Sequence, residues 1–308
     1  MYNFRPPMMI IVNNMESISV LSNAKINLFF SIDGINPDHF CAITSIMAPL
    51  AFGDDMVFSI EKNTSSPKPI IEIFQHSPLK FPPKNNTLIQ AVEQFCERTG
   101  IDNFSLRVDI EKKIPIGGGW GGGSSNGVFT LKALNRFHNA PLSEEQCISL
   151  AQKIGTDCPF FIKNLPQQAT GRGEIVSPIS MNFCQNLTNY SALIFCPHFS
   201  ISTEDAYKKF KQKPRPICDA SMKVKKIFAE DHFESLLFNS FQQQILDEHA
   251  ELKILFNDLY HLGYFPHITG SGSGCFILHR QCDILEKVQK IILKKLGPIP
   301  LCKIVHFL

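Results

Sequence analysis

The run PIGGGWGGGSSNG, residues 115–127, constrains this chain more than any other stretch. Six of its first nine residues are glycine, and Trp120 among them is the only tryptophan in 308 residues. Before it, FSLRVDIEKKIP (104–115) alternates apolar and polar residues and then meets a proline, the pattern of a strand with a hard end. After it, SSNGVFTLKALNRFHN (124–139) reads as an amphipathic helix with Phe129, Leu131, Leu134 and Phe137 in its apolar set. A glycine turn between a strand and a helix can adopt positive φ and let a ligand approach bare backbone. The helix that follows offers unpaired N–H groups and a partial positive charge at Ser124–Gly127. Together these make a cradle for phosphate.

Two common phosphate motifs do not fit. No lysine follows the glycines, so the pattern G-x-x-x-x-G-K-[ST] fails. Gly117, Gly119 and Gly122 match G-x-G-x-x-G, but a dinucleotide fold then needs a second strand after the helix. Here SEEQCISLAQKIG (143–155) opens on a capping box, Ser143 with Gln146, and is a second helix.

Hydrophobic residues make up 44% of the chain, charged residues 19%, and the net charge is +2. That balance suits a chain with a sizeable core and argues against nucleic acid or a membrane as its partner. The basic stretch KKFKQKPRP (208–216) reads as a solvated loop. No apolar run reaches the roughly 18 residues of a membrane span. MYNFRPPMMIIVNN (1–14) lacks the features of a signal peptide and reads as a tail. The ten cysteines form no C-x-x-C pair and sit mostly in apolar runs such as DCPFF and ALIFC. They are expected to be small buried hydrophobes in a cytoplasmic, reducing compartment.

Further strands are expected at 17–34, 41–52, 55–62, 69–74, 190–196 and 301–307, and flanking a glycine turn within 265–279. Further helices are expected at 86–100, capped by Asn85 or Asn86, and at 203–210, 222–230, 239–247, 249–262 and 283–297. Strict strand–helix alternation is absent, so the class is α+β rather than a doubly wound parallel sheet. A boundary is expected near 165, at NLPQ, dividing the chain into a tail (1–14), a domain holding the glycine loop (15–165) and a second domain (166–308).

The pattern P-x-G-G-G-x-G-G-G-S-S-N resembles the ATP loop of the GHMP small-molecule kinases. AKINLFFSIDG (24–34), GTDCPFF (155–161), ATGRGEIVSPI (169–179) and ITGSGSGCF (268–276) are similar to further motifs of that family, in the same order. The resemblance spans about residues 17–307. It implies a two-domain GHMP kinase fold, with a ribosomal-S5-domain-2-like N-terminal half and a ferredoxin-like C-terminal half. It implies ATP as phosphoryl donor, wrapped by Pro115, Ile116, Gly117, Gly118, Gly119, Trp120, Gly121, Gly122, Gly123, Ser124 and Ser125. Mg²⁺ would accompany the nucleotide, with Ser124 or Ser125 as a ligand, and no carboxylate cluster reads as a dedicated metal site.

Asp157 matches the general base and Lys25 its cationic partner, while Asn27 shares a strand face with Lys25 and would hold substrate oxygens. Without the resemblance, Asp157 reads equally as the cap of a short helix opening at Cys158-Pro159. The doubled GGG and the SSN are similar to one branch in particular. Its acceptor is a polyol carrying a cytidine diphosphate, a precursor in non-mevalonate isoprenoid synthesis. Mevalonate, homoserine or a sugar as acceptor, and a catalytically silent nucleotide binder, are the alternatives. Thr269, Gly270 and Gly272 would close on the phosphate end of the substrate, or form an ordinary tight hairpin turn. Phe40 falls at an aromatic that stacks on cytosine, and Cys41 at a position usually histidine, with His39 one residue away. Tyr207 falls at a second aromatic, or packs its helix. The implied assembly is a monomer or weak homodimer.

Overall fold

Strand β3 (Cys41–Lys62) runs unbroken through the Gly-Asp-Asp that suggests a turn between two strands. Gly53 is there for proximity: a Cβ on it would lie 2.2 Å from the Ser22 carbonyl oxygen of strand β2 (Met15–Ile35). This is a computed structural model describing residues 9–12, 15–35, 40–62, 66, 68–76, 86–212 and 219–308. Most of the expected tail, His39, and positions 213–216 of the basic stretch lie outside the described residues, and 208–212 of that stretch are not loop but the end of a helix, Thr203–Gln212, with Phe210 buried.

The chain forms two compact units, and the crossings between them fall inside β2 and β3, at 114/115 and 120/121 in the glycine run, and at 163/164. The first unit comprises 1–24, 53–114 and 121–163. Here β1 (Met9–Val12) pairs with the start of β2, and the end of β3 pairs antiparallel with β5 (Phe104–Glu111). Strand β4 (Ile70–Gln75) adds parallel to β5. Phe104, Leu106, Val108 and Ile110 of β5 are all buried, as period-two alternation requires. The unit's helices are α1 (Thr87–Thr99), α2 (Gly122–Phe137), α3 (Glu144–Ile154) and α4 (Cys158–Lys163). Asn86 caps α1, accepting from Leu88 N, and left-handed Gly100 (φ 71°) ends it. The Ser143/Gln146 capping box opens α3 as expected. A Cβ on Gly127 would stand 2.9 Å from Thr87, so this last glycine of the loop motif serves close packing against α1.

The second unit comprises 25–52, 115–120 and 164–308. It holds β6 (Gln167–Thr170), β7 (Ile175–Pro178), α5 (Met181–Leu187), β8 (Ser191–Cys196), α6 (Thr203–Gln212) and α7 (Ala220–Ala229). Then follow β9 (Phe238–Asn239), α8 (Gln242–Glu248), α9 (Ala250–His261), β10 (His267–Ile268), β11 (Cys275–His279), α10 (Cys282–Leu296) and β12 (Leu301–His306). An antiparallel sheet of order β10-β11-β8-β12 is backed by Leu252, Leu255, Phe256 and Leu259 of α9 and by Leu285, Val288 and Ile292 of α10. The sequence of strand, helices, hairpin, helix, strand with this order is the ferredoxin-like half. Every residue of β8 is buried, which is why SALIFC reads as a continuous apolar run. The β6–β7 hairpin, α5 and β9 were not expected. They are short, and their pairing comes from residues distant in sequence: β6 joins β3 at Ser45↔Ala169, and β9 joins β2 at Phe29↔Phe238.

Candidate active site

The glycine stretch begins next to an anchored, buried acid. Asp54 is fully buried and accepts from Lys113 N (2.8 Å), Ile114 N (2.9 Å) and the Lys112 ammonium. Those bonds close the end of β5 immediately before Pro115. Sequence reading missed Asp54, and its signal was an acid inside an otherwise apolar strand.

Within the second unit, Gly117 and Gly119 take φ of +72° and +73°. A Cβ on Gly119 would lie 2.3 Å from the Thr269 carbonyl oxygen, and one on Gly274 would lie 2.3 Å from that of Gly118. Gly274 N donates to Gly118 O at 3.0 Å. The two glycine segments therefore lie backbone against backbone, at a separation no side chain permits. Trp120 is 1% exposed, and its indole fills the space where a Cβ on Gly118 or Gly274 would stand. It offers a ligand only its backbone, and its carbonyl already accepts from Lys25 N at 2.9 Å.

Lys25 and Asn27 are both buried, side by side on β2. Lys25 Nζ donates to Asn27 Oδ1 at 2.5 Å. Thr269 Oγ1 donates to the same oxygen at 3.2 Å and accepts from Asn27 N at 3.0 Å. Asn27 Nδ2 donates to Ser45 Oγ at 2.8 Å, which donates onward to Phe29 O. Gly270 (φ +55°) passes so close that a Cβ would sit 3.3 Å from Asn27 Oδ1 and 3.5 Å from Lys25 Nζ. Asn239 Nδ2 pins this turn through Ile268 O (2.7 Å) and Gly270 O (2.8 Å). The structure thus brings Lys25, Asn27, Thr269 and Gly270 into one network. Gly272 (φ +82°) packs instead against Ile245 and Ile201. Ser45 and Asn239 were missed; each is a small polar residue in an apolar run, with a partner far away in sequence.

The first unit holds the rest of the glycine run and Asp157. Left-handed Gly121 (φ 72°) precedes α2 with no side-chain cap, and the first turn carries no acid. Ser125 N donates to Gly121 O, so the N–H groups of Gly122, Gly123 and Ser124 precede the first helical bond. A Cβ on Gly122 would press on Ile114 at 3.0 Å, whereas one on Gly123 would meet nothing. Ser125 is fully buried beside the Ser22 hydroxyl, which lies 2.8 Å from Ser125 Oγ and 2.7 Å from Asn126 Oδ1. Of the two serines, Ser124 is the one at the open end. Cys158 Sγ contacts the Ser124 carbonyl at 3.7 Å, and Ser124 Oγ is 4.0 Å from a Cβ built on Gly155. Half-buried Asp157 sits in that Gly155–Cys158 turn, between α3 and α4.

Phe40 is 49% exposed, and the Arg172 guanidinium lies 3.6 Å over its ring. Cys41 turns the other way, into the core with Phe30, Ile32, Ile43 and Leu193, and burial pushes its thiol pKa up. Tyr207 packs edge-on to Phe241 at 5.0 Å.

Residues 86–164 match the family described as GHMP kinases N terminal domain. A 4-diphosphocytidyl-2-C-methyl-D-erythritol kinase of Porphyromonas gingivalis is 30% identical over 271 residues, covering 87% of this chain and 94% of that protein. Another, from a Sulfurihydrogenibium species, is 32% identical over 277 residues, covering 88% and 94%. The chain belongs to the 4-diphosphocytidyl-2-C-methyl-D-erythritol kinase family. A crystal structure of 4-(cytidine 5'-diphospho)-2C-methyl-D-erythritol kinase shares the fold, with a TM-score of 0.72 at 23% identity over 94% of this chain and 99% of that one. The GHMP resemblance of the glycine loop is thereby carried across most of the chain.

Proposed function

We propose that the chain transfers the γ-phosphoryl group of ATP to the 2-hydroxyl of 4-diphosphocytidyl-2-C-methyl-D-erythritol, releasing ADP and the 2-phosphate. The observation that carries this is 30–32% identity to enzymes of that name over almost their whole length. Phosphoryl transfer needs positioning, charge neutralisation and an acceptor for the hydroxyl proton. Asp157 takes that proton. The Lys25 ammonium, oriented by Asn27, offsets charge on the transferring group. The uncapped start of α2 receives phosphate, and the family resemblance also assigns the bare backbone of 117–119 to ATP. Mg²⁺ arrives as part of the nucleotide substrate, and Ser124 is the hydroxyl offered to it. Phe40 stacks on the cytosine, and Thr269 and Gly270 face the acceptor.

We assign the enzyme to the cytosol. Nine cysteines among the described residues are free, and no described helix is long and apolar enough to cross a membrane.

The first test is an ADP-release assay with Mg²⁺-ATP and the cytidyl substrate beside mevalonate, homoserine and galactose. Turnover with the cytidyl substrate alone is expected. Turnover only with another alcohol would overturn the acceptor assignment, and none with any would overturn the kinase reading.

The cradle has its own test in Gly123→Asp. The position is open, so the side chain costs no packing. An acid in the first turn of a helix stabilises it by about 0.3–1 kcal/mol, and glycine was a poor helix residue to begin with. The same charge repels a triphosphate. The melting temperature should stay level or rise while the KM for ATP rises at least about tenfold, a cost of roughly 1.4 kcal/mol. Unchanged ATP affinity would show that this helix end binds no phosphate.

A further inference from the structure

The first turn of α2 is the least self-supporting part of that helix. It opens on Gly122 and Gly123 behind left-handed Gly121, and no side chain caps it. Glycine gives up the most conformational freedom on folding, so an uncapped glycine turn needs outside support to aim its N–H groups. The described residues supply that support at three points. Ile114 packs against Gly122, where a Cβ would lie 3.0 Å from its side chain. Thr87 Oγ1 donates to Gly123 O at 2.6 Å. Ser22 Oγ lies 2.8 Å from Ser125 Oγ and 2.7 Å from Asn126 Oδ1, and all three of these residues are fully buried. Ser22 is itself placed by β3, whose Gly53 comes so close that a Cβ would stand 2.2 Å from the Ser22 carbonyl oxygen. The next residue, Asp54, accepts from Lys113 N and Ile114 N. Two neighbouring residues of β3 thus steady the turn from two sides, Asp54 through Ile114 and Gly53 through Ser22.

We infer that Ser22 is a positioning residue of the nucleotide site, its buried hydroxyl holding the first turn of α2 so that the N–H groups of Gly122, Gly123 and Ser124 converge on phosphate. This rests on the phosphate reading of that helix end given above. Ser22 is fully buried, so it reaches no ligand itself and acts through Ser125 and Asn126. A hydrogen bond of this kind is favourable by about two- to tenfold net. Anion binding at a helix start depends on several N–H groups sharing one target, so loosening the turn weakens every one of those contacts together. The contacts hold phosphate before and during transfer, so their loss falls on affinity for the nucleotide and not on the chemical step.

Steady-state kinetics and calorimetry with Mg²⁺-ADP on Ser22→Ala test this. The KM for ATP and the Kd for ADP should each rise about three- to tenfold, with kcat and the KM for the acceptor within about twofold of wild type. Ser125→Ala removes only the partner hydroxyl and should move the same two constants in the same direction, which keeps the test open should Ser22→Ala fold poorly. The double variant should lose less than the product of the two single losses, because both substitutions break one contact. A lower melting temperature with both nucleotide constants unchanged would make Ser22 a packing residue and overturn the inference. Losses that multiply in the double variant would overturn it too. Gly123→Asp separates this idea from the reading beneath it. Nucleotide binding weakened by the aspartate but not by Ser22→Ala would keep phosphate at the helix end and remove Ser22 from its support. Binding untouched by either would remove both.

Discussion

Asp157→Asn is expected to lower kcat by about 10²- to 10⁴-fold, the contribution of a positioned general base. The substitution keeps shape and acceptor oxygen, and asparagine serves as well as aspartate in a turn that opens a helix. Asp157 sits in the Gly155–Cys158 turn, with Cys158 fully buried behind it and in contact with the Ser124 carbonyl. The turn should therefore hold, and the KM for ATP and the melting temperature should stay near wild type. What disappears is the ability to take a proton from the acceptor hydroxyl. Full turnover in the variant would remove the base assignment. Lost turnover accompanied by a large drop in melting temperature would make Asp157 a structural cap.

Lys112→Met is expected to destabilise the fold by about 3–5 kcal/mol, the cost of stranding one member of a buried ion pair. The side chains of Lys112 and Asp54 are 3% and 0% exposed, and methionine matches the lysine stem in volume. The loss is then electrostatic: Asp54 keeps its bonds from Lys113 N and Ile114 N but loses its cation. Denaturant unfolding reads the effect. Adding Asp54→Asn to the methionine variant should recover part of it, because asparagine still accepts from both amides without carrying a charge. A cost below about 1 kcal/mol would mean that the pair behaves like a solvated surface bridge.

Asp54 also marks the limit of what the sequence discloses. GDD reads locally as a turn, and only the approach of β2 to Gly53 makes it mid-strand. Elements defined by their own periodicity or caps were legible: β5 by alternation, α1 by Asn86 and Gly100, α3 by its capping box. Those defined by a remote partner, such as β9 and the β6–β7 hairpin, were not. The site divides the same way. Lys25 and Asn27, two apart on a strand, and the glycine segments were readable as motifs. Ser45 and Asn239 gain their roles from atoms more than a dozen residues distant. The inward turn of Cys41 was within reach, since Cys41, Ile43 and Ser45 alternate on one buried face of β3.

The lone tryptophan gives this enzyme a built-in optical label. Trp120 is enclosed between Gly118 and Gly274, inside the loop assigned to the triphosphate, so all indole emission from the chain originates at that one place. A fluorescence titration with nucleotide, excited where the five tyrosines do not absorb, therefore watches the paired glycine backbones directly, with no dye, no engineered residue and no second indole to subtract.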